Sequence, residues 1–539
     1  MSSPSDPLHP VVEGGDEIYN FTRGRFVANE KFELAQRHVE YDVLELGKVA
    51  ARAMNAQRCV RLKKFPDGLY NKALLLTMDN DTEVVAKIPN PNAGIKHFTT
   101  ASEVATMEFM RRKLGIPLPK VYTWSSRSDD NPVGAEYIIM EKLPGVELES
   151  IWSKLETPER FAVVRRLGEY QKAWASIRFH GFGSLYFAGD LTNCSALEYT
   201  ESDGTIRTDA EFSLGPSMGR DWFDDGRGGL DFDRGPWKTL EGYHAAIGHR
   251  EATCIRKLDS LPPSPISIRG PGLHEVSRQQ KLRAVDVYMK LFPHMIPKDS
   301  GISAASLWHG DLHEGNIFVD PSDPGTITGL IDWQASEIVP LYFHARQPHL
   351  INHTGPETYG LEHPELPADF EQLDPTEKRA AEVLYLKQAL CVLYRTLMHK
   401  ICPDVYRSIE FQQTDQFSVL LLARTLLVDG EAAYLAQAVE LEKRWGELTA
   451  GNVSFPVSFS EAEKEQVARE LVASRHSMGV MNEIRSAIGE LYPEKGLVRH
   501  EQYDMAIDAL RQVRDQVIDE FAKTEKDRKV WLEQWPFDS

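Results

Sequence analysis

Between Ser306 and Gln334 the chain reads SLWHGDLHEGNIFVDPSDPGTITGLIDWQ, and no other stretch constrains its fold as tightly. ASLWH is a short apolar run, GDLHEG a polar turn, NIFVD a strand, DPG a second turn and ITGLID a second strand. Two short strands joined by a tight turn pair as an antiparallel hairpin. That pairing sets Asn316, where the first strand begins, beside Asp332, where the second one ends. Asp311 then stands in the loop ahead of the hairpin, five residues before Asn316. Turn chemistry accounts for any one of these residues alone. It does not account for the joint pattern H-x-D-x-x-x-x-N, strand, turn, and a strand closing on Asp332.

Phosphoryl transfer asks for such a set. A loop aspartate, here Asp311, accepts the proton of an attacking hydroxyl and orients it. An amide and a carboxylate side by side, Asn316 and Asp332, offer oxygen ligands to Mg²⁺, a hard cation that binds through few protein groups plus substrate phosphates. The metal offsets charge on the transferred group. A zinc site built from His309 and His313 is the rival, but no second well-spaced pair of ligands lies nearby. His309 is expected to brace the loop by a hydrogen bond, with plain packing as the alternative.

The rest of the chain falls into two regimes. Residues 29–54 read as one helix by their three- and four-residue apolar spacing. Three short strands follow at 59–65, 69–78 and 83–88, separated by Asp67-Gly68 and Asp79-Asn80-Asp81. A helix over about 101–114 is stopped by Gly115 and Pro117, and two more strands lie near 120–124 and 135–143. After Pro144-Gly145 the pattern becomes helical: 159–176, 239–258, 274–291, 376–400, 417–427, 431–448, 460–488 and 500–522. Residues 181–236 interrupt it with Gly, Asp and interleaved aromatics. Their acidic residues, Asp221, Asp224, Asp225, Asp231 and Asp233, read as a solvated loop, with a lip for a cationic substrate as the alternative.

Composition narrows the partners. The 539 residues carry 80 acidic against 61 basic side chains, a formal charge of −19. Such a surface disfavours nucleic acid and anionic membranes and tolerates a cationic substrate. Cys59, Cys194, Cys254, Cys391 and Cys402 are scattered without a C-x-x-C pair, which fits a reducing compartment. No apolar run approaches the length of a membrane span. The N-terminal stretch is Pro- and Gly-rich with acids, lacks an apolar signal core or an Arg-rich amphipathic transit pattern, and reads as a flexible segment over 1–28.

HGDLHEGNIFVD and ITGLIDWQ resemble the catalytic segment of the aminoglycoside phosphotransferase and choline kinase-like branch of the protein-kinase fold. More closely, NFTRGRFVANE, AKIPNPNAG, TTASEVATMEF, NPVGAEYIIMEKLPG and RGPW resemble the fungal "altered inheritance of mitochondria" phosphotransferase-like proteins. The resemblance spans about residues 59–448. It implies an α+β, bilobal protein-kinase-like fold with an antiparallel-sheet N-lobe and a mainly helical C-lobe. It also implies ATP and Mg²⁺ as cofactors. Lys87 resembles the strand lysine that grips the α- and β-phosphates, and Glu103 its helix partner, with Glu108 as fallback. FPDGLYNK resembles a phosphate-covering hairpin carrying Gly68 and Asn71, although only one glycine is present. Met140, Glu141, Lys142 and Leu143 resemble the interlobe hinge whose backbone bonds adenine.

By the same resemblance Asp311 is the catalytic base, His309 belongs to its loop, and Asn316 and Asp332 hold the metal. Gly310 stands where protein kinases carry an arginine, Asp332-Trp333-Gln334 replaces D-F-G, and no Ala-Pro-Glu follows soon. The expectation is therefore a small-molecule kinase without an activation-loop phosphoswitch, acting on a hydroxyl. A catalytically weak nucleotide-binding or scaffold protein is the competing reading. The expected units are 1–28, an N-lobe over 29–143, a C-lobe over 144–450 with the insertion 181–236, and a helical extension over 451–539. The family name implies a mitochondrial location, with the cytoplasm otherwise, and no secretion.

Overall fold

The computed structural model describes residues 10–449, 451 and 453–537. Its N-terminal lobe is a six-stranded sheet in the order β1-β3-β4-β5-β7-β6. The strands are β1 (Val11–Glu13), β3 (Cys59–Lys64), β4 (Asn71–Met78), β5 (Glu83–Pro89), β6 (Val121–Ser125) and β7 (Tyr137–Glu141). β4 shows why the meander forms: Lys72, Leu74, Leu76 and Met78 are buried, while the residues between them are half-exposed. That two-residue period suits a sheet with one face on a core. The same face of β5 packs Val84, Ala86 and Ile88 beside it.

Helix α3 (Phe98–Leu114) follows β5 and ends at Gly115, which takes the left-handed conformation at φ 64°. Arg111, Arg112 and Lys113 fill its last turn, the end of a helix that favours positive charge. Ala105, Met107, Phe109 and Met110 of α3 belong to the core of the second lobe, not to that of the sheet. This helix therefore fixes one lobe on the other.

Two expectations for the N-terminal part are corrected. The single helix over 29–54 is two, α1 (Glu30–Ala35) and α2 (Val43–Ala53). Asp42 starts the second by accepting from the Glu45 amide at 2.9 Å. The chain between them is held extended by contacts the local pattern does not contain: Val39 N–H donates to the Tyr19 carbonyl at 3.2 Å, and Tyr41 Oη–H to the Ile18 carbonyl at 3.2 Å. The flexible segment over 1–28 is also corrected where it is described, since 1–9 lie outside the described residues. β1 joins the sheet parallel to β3. β2 (Arg25–Phe26) pairs antiparallel with Leu497–Val498, about 470 residues on. A strand of two or three residues whose partner is that distant leaves no local signal.

The second lobe is mainly helical. Side chains of Thr239, Ser277, Asp374, Thr414 and Ser460 cap five of its helices by accepting from amides in the first turn. At its centre Trp174, on the helix Thr157–Ala175, meets Trp308 edge-on at 5.7 Å and Trp333 at 5.5 Å. Those two tryptophans flank the polar loop and hairpin, so core packing holds the segment at both ends. The lobes give the α+β, bilobal protein-kinase-like arrangement.

The insertion is more ordered than a loop. Ser184–Phe187 pairs with Phe212–Gly215, and Leu197–Thr200 with Ile206–Asp209. Most of its acidic residues have partners, although Asp225, Asp231 and Asp233 remain exposed. Asp221 pairs with Arg250 at 3.0 Å and Arg424 at 2.9 Å, Asp224 with Arg220 at 2.7 Å and Asp225 with Arg227 at 2.9 Å. Asp233 accepts from the Gly235 amide and the Trp237 indole. The partners of Asp221 come from elements far apart in the chain, Arg424 some 200 residues away, whereas those of Asp224, Asp225 and Asp233 lie within four residues. Beyond 453, the helices Glu461–Ile488, Tyr503–Phe521 and Glu525–Gln534 share a core of their own with Ile268 and Leu273 of the lobe. Trp531 is fully buried there, so close on Gly270 that no side chain fits at that position. Among the described residues no helix is long and apolar enough to cross a membrane.

Candidate active site

The hairpin forms as its residues require. Ile317–Asp320 pairs antiparallel with Asp323–Leu330, with Ile317 opposite Leu330, and Val146–Glu147 adds a third strand. Beyond the last pair the Ile331 amide donates to the Asn316 carbonyl at 3.0 Å. Asn316 and Asp332 thus lie at one end of the hairpin. The Asn316 side chain donates from Nδ2 to the Asp311 carbonyl at 2.8 Å, which leaves Oδ1 as its open end. An amide oxygen beside a carboxylate is the hard donor set that suits Mg²⁺. Among the described residues no group of three or more His, Cys, Asp or Glu side chains is arranged to hold a metal. The donor set fits a cation shared with phosphate oxygens, not one caged by protein alone.

His309 is fully buried. Its Nε2–H donates to the Ile331 carbonyl at 2.9 Å, and its Nδ1 accepts from the Asp311 amide at 3.2 Å. Both bonds require the same neutral tautomer. Burial pushes its pKa down to about 4, so the ring stays neutral at physiological pH. Both nitrogens are used, which leaves none for zinc. The residue ties the loop before Asp311 to the strand end before Asp332, and its ring packs on Trp333 at 4.6 Å. It positions these groups and does not itself reach the cleft.

Across the cleft, Lys87 on β5 sits between two carboxylates. Its Nζ lies 2.6 Å from Glu103 on α3 and 2.7 Å from Asp332. Burial opposes the lysine's charge, yet Asp332 and Glu103 outweigh it and hold the ammonium up at about 12. Burial likewise opposes the Asp332 carboxylate, and Lys87 overcomes it, keeping that pKa below the usual range. Glu108, the fallback for Glu103, turns away to Arg111 at 2.9 Å.

Gly68 lies in the turn between β3 and β4, where a Cβ would meet the Asn71 backbone carbonyl at an ordinary contact distance of 3.5 Å. Asp67 anchors that turn, accepting from the Thr22 amide at 2.8 Å and from its hydroxyl at 2.9 Å. Asn71 comes across to the second lobe, where its Nδ2 donates to Gln334 Oε1 at 2.9 Å. Its amide is engaged by a side chain two residues past Asp332. Met140 and Glu141 end β7, opposite Val85 and Val84 of β5, and the Glu141 amide donates to the Lys120 carbonyl at 2.9 Å. Leu143 lies so tightly on Gly329 of the hairpin that a Cβ there would overlap it. The segment between the lobes is thereby seated on the hairpin.

Three groups stand beside Asp311, and two of them, Arg346 and His349, carried no signal in the sequence. His313 Nε2 lies 3.8 Å from Asp311 Oδ2, and His349 Nδ1 lies 3.9 Å from Oδ1. The Arg346 guanidinium donates to the carbonyl of Gly310, the residue before Asp311. Arg346 and His349 belong to ARQPHL, which matches no motif, and only the path of the chain after the hairpin brings them here. Asp311 itself is well exposed, its side chain 63% accessible, so an acceptor can reach it.

Residues 61–343 match the model of the phosphotransferase enzyme family. The "subtelomeric hrmA-associated cluster protein" of Aspergillus fumigatus is 26% identical over 515 residues, covering 90% of this chain and 98% of the relative. "Altered inheritance of mitochondria protein 9, mitochondrial" of Yarrowia lipolytica is 23% identical over 488 residues, covering 84% of this chain and 81% of the relative. Among solved structures, the streptomycin–ATP ternary complex of APH(2'')-IIa aligns at 12% identity and a TM-score of 0.33, covering 72% of this chain and all of that one.

Proposed function

The chain belongs to the phosphotransferase enzyme family, and from that premise we propose that it transfers the γ-phosphoryl group of Mg-ATP to a hydroxyl of a small molecule. The observation that carries this reading is Lys87, bonded at once to Glu103 and to Asp332, with Asn316 and Asp311 tied together beside them. Lys87 orients the nucleotide phosphates from one lobe. Asn316 Oδ1 and the Asp332 carboxylate present oxygens to the metal from the other. Mg²⁺ bound there supplies charge neutralisation for the transferred group. Asp311 orients the acceptor hydroxyl and takes its proton as the new phosphorus–oxygen bond forms and the bond to the departing ADP breaks. The residues around 140–143 line the adenine side, and the turn carrying Gly68 covers the phosphates.

The units proposed for this work are an N-lobe over 29–143, a C-lobe over 144–450 and an extension over 451–539. A mitochondrial setting is proposed from the printed name of the Yarrowia relative. The bond between Asn71 and Gln334 favours a second reading, a nucleotide-binding protein of low turnover, because it occupies the hairpin amide that would face the phosphates.

The experiment is γ-labelled ATP and Mg²⁺ with purified protein in a fungal small-molecule extract, wild type beside Asp311→Asn. We expect label in a metabolite with wild type only, and a loss of turnover of roughly 10²- to 10⁴-fold in the variant, the usual worth of a positioned base. Equal labelling by both proteins removes Asp311 from the chemistry. Nucleotide binding without labelling by either one favours the second reading.

A further inference from the structure

The acceptor's side of the cleft has a charge of its own. A cationic acceptor needs free carboxylates at the mouth, and the acidic residues of the insertion are the obvious source. Three of the five are consumed, Asp221 by Arg250 and Arg424, Asp224 by Arg220 and Asp225 by Arg227, while Asp233 accepts from the Gly235 amide and the Trp237 indole and Asp231 stays exposed. Glu337, five residues beyond Asp332, is likewise held by Ser217 and faces Arg424 at 3.7 Å.

The groups left beside Asp311 are of the opposite kind. Arg346 reaches the Gly310 carbonyl with one end of its guanidinium and forms no ion pair with a carboxylate among the described residues. A guanidinium carries five N–H donors in a fixed fork, so one carbonyl leaves most of them unused. His349 and His313 flank the Asp311 carboxylate at 3.9 and 3.8 Å. Of the other acids, Glu149 stands against Gly315, and Glu314 follows His313 and acts on His349 as well. The Arg346 guanidinium therefore makes its side of Asp311 the place for negative charge, with the His349 ring beside it as a neutral hydrogen-bonding group, since burial and Arg346 hold its pKa below the ordinary value.

Resting on the phosphotransferase reading, we infer that the acceptor is an anionic hydroxyl compound whose carboxylate or phosphate is gripped by Arg346 and His349 while its hydroxyl meets Asp311. The grip is the planar, two-pronged pairing that guanidinium makes with either anion. It also fixes the hydroxyl a short span from the charged group. The overall charge of −19 argues for a cationic partner only at long range. The local pairing inside the cleft decides which acceptor is held once there.

The test uses the full chain with ¹³C-labelled histidine and no nucleotide, so that its result does not depend on phosphotransfer. Three hydroxyl-bearing probes are titrated: malate, glycerol 3-phosphate and choline. Ring resonances of His313 and His349 are assigned by His→Gln substitution at each. We expect malate or glycerol 3-phosphate to shift both resonances, the tighter of the two naming the carboxylate or the phosphate class, and choline to shift neither. Arg346→Gln should weaken that anion by roughly tenfold or more, the worth of a charge-assisted hydrogen bond, and Arg346→Lys should restore part of it. Shifts with choline alone, no shift with either anion, or unchanged anion affinity in Arg346→Gln each overturn the inference. The labelled extract scores phosphotransfer separately: an acceptor recovered from it as a cation or a neutral compound overturns the anion site and leaves phosphotransfer standing.

Discussion

His309→Phe separates bracing from packing at the catalytic loop. Phenylalanine keeps an aromatic ring against Trp333, which the histidine ring meets at 4.6 Å, and deletes both hydrogen bonds. The Ile331 carbonyl loses its donor and the Asp311 amide its acceptor. Each orphaned polar group costs about 1–3 kcal/mol when buried, so the part-buried pair should cost at most about 2–6 kcal/mol of unfolding free energy. The kinetic effect should be larger. Asp311 is held by its amide to His309 and by its carbonyl to Asn316. Losing one tether lets its carboxylate wander, and a misplacement of about 1 Å costs roughly 10²-fold in rate. Lys87 and Glu103 lie across the cleft and keep their contact, so the Michaelis constant for ATP should move far less than turnover. Urea unfolding gives the first quantity, and label transfer at varied ATP gives the second. His309→Gln, which can still donate to the Ile331 carbonyl, should recover part of both. If His309→Phe stays within about 0.5 kcal/mol of wild type, the range of an ordinary surface change, and turns over normally, His309 is a packing residue and the bracing argument fails.

Asp332→Asn changes charge at a residue with left-handed backbone, φ 63°, which Asn tolerates. It should weaken Mg²⁺-dependent nucleotide binding while leaving Lys87 on Glu103, and calorimetry with and without Mg²⁺ showing no difference would take Asp332 out of the metal site. Acid should destabilise the chain through His244, His309 and His344, whose burial pushes them down to about 3, 4 and 3. Their folded pKa values lie below the ordinary 6.5, so their stabilisation is complete above pH 6.5 and lost as the pH falls, by roughly 2 kcal/mol each at pH 5. Glu337 works the other way, because burial pushes it up to about 7 and its contribution fades as pH rises from 4.5 to 7. It offsets about one of the three, leaving a net loss of roughly 4 kcal/mol between pH 7 and 5. Denaturant midpoints at the two values check the sign. Trp531→Ala empties a fully buried site against Gly270 and should cost about 3–5 kcal/mol, read as lost hydrogen-exchange protection across the helices of 461–534.

Local chemistry in the sequence determined the hairpin and its cargo. Periodicity of two and of three to four residues, with Asp, Asn and Gly at the turns, needs no distant partner to be legible. So Asp311, Asn316 and Asp332 were found together, and the sheet meander and the long helices ended close to where Gly115 and the Ser, Thr and Asp caps stop and start them. Lys87 and Glu103 were named through a family resemblance, because sixteen residues of separation say nothing about contact. The structure brought them to 2.6 Å. What stayed hidden shares one physical cause, an interaction energy held in pairs far apart along the chain. A strand as short as β2 exists because Leu497–Val498 lies beside it. Asp221 of the insertion is neutralised because Arg250 and Arg424 arrive from elsewhere in the chain. Arg346 and His349 mean nothing in ARQPHL until the chain after the hairpin folds back onto Gly310 and Asp311. The sequence by itself determined that a hairpin carrying Asn316 and Asp332 behind a loop with Asp311 exists; the tertiary fold decided which charges surround it, because solvation and pairing of a charge depend on neighbours in space and not on neighbours in sequence.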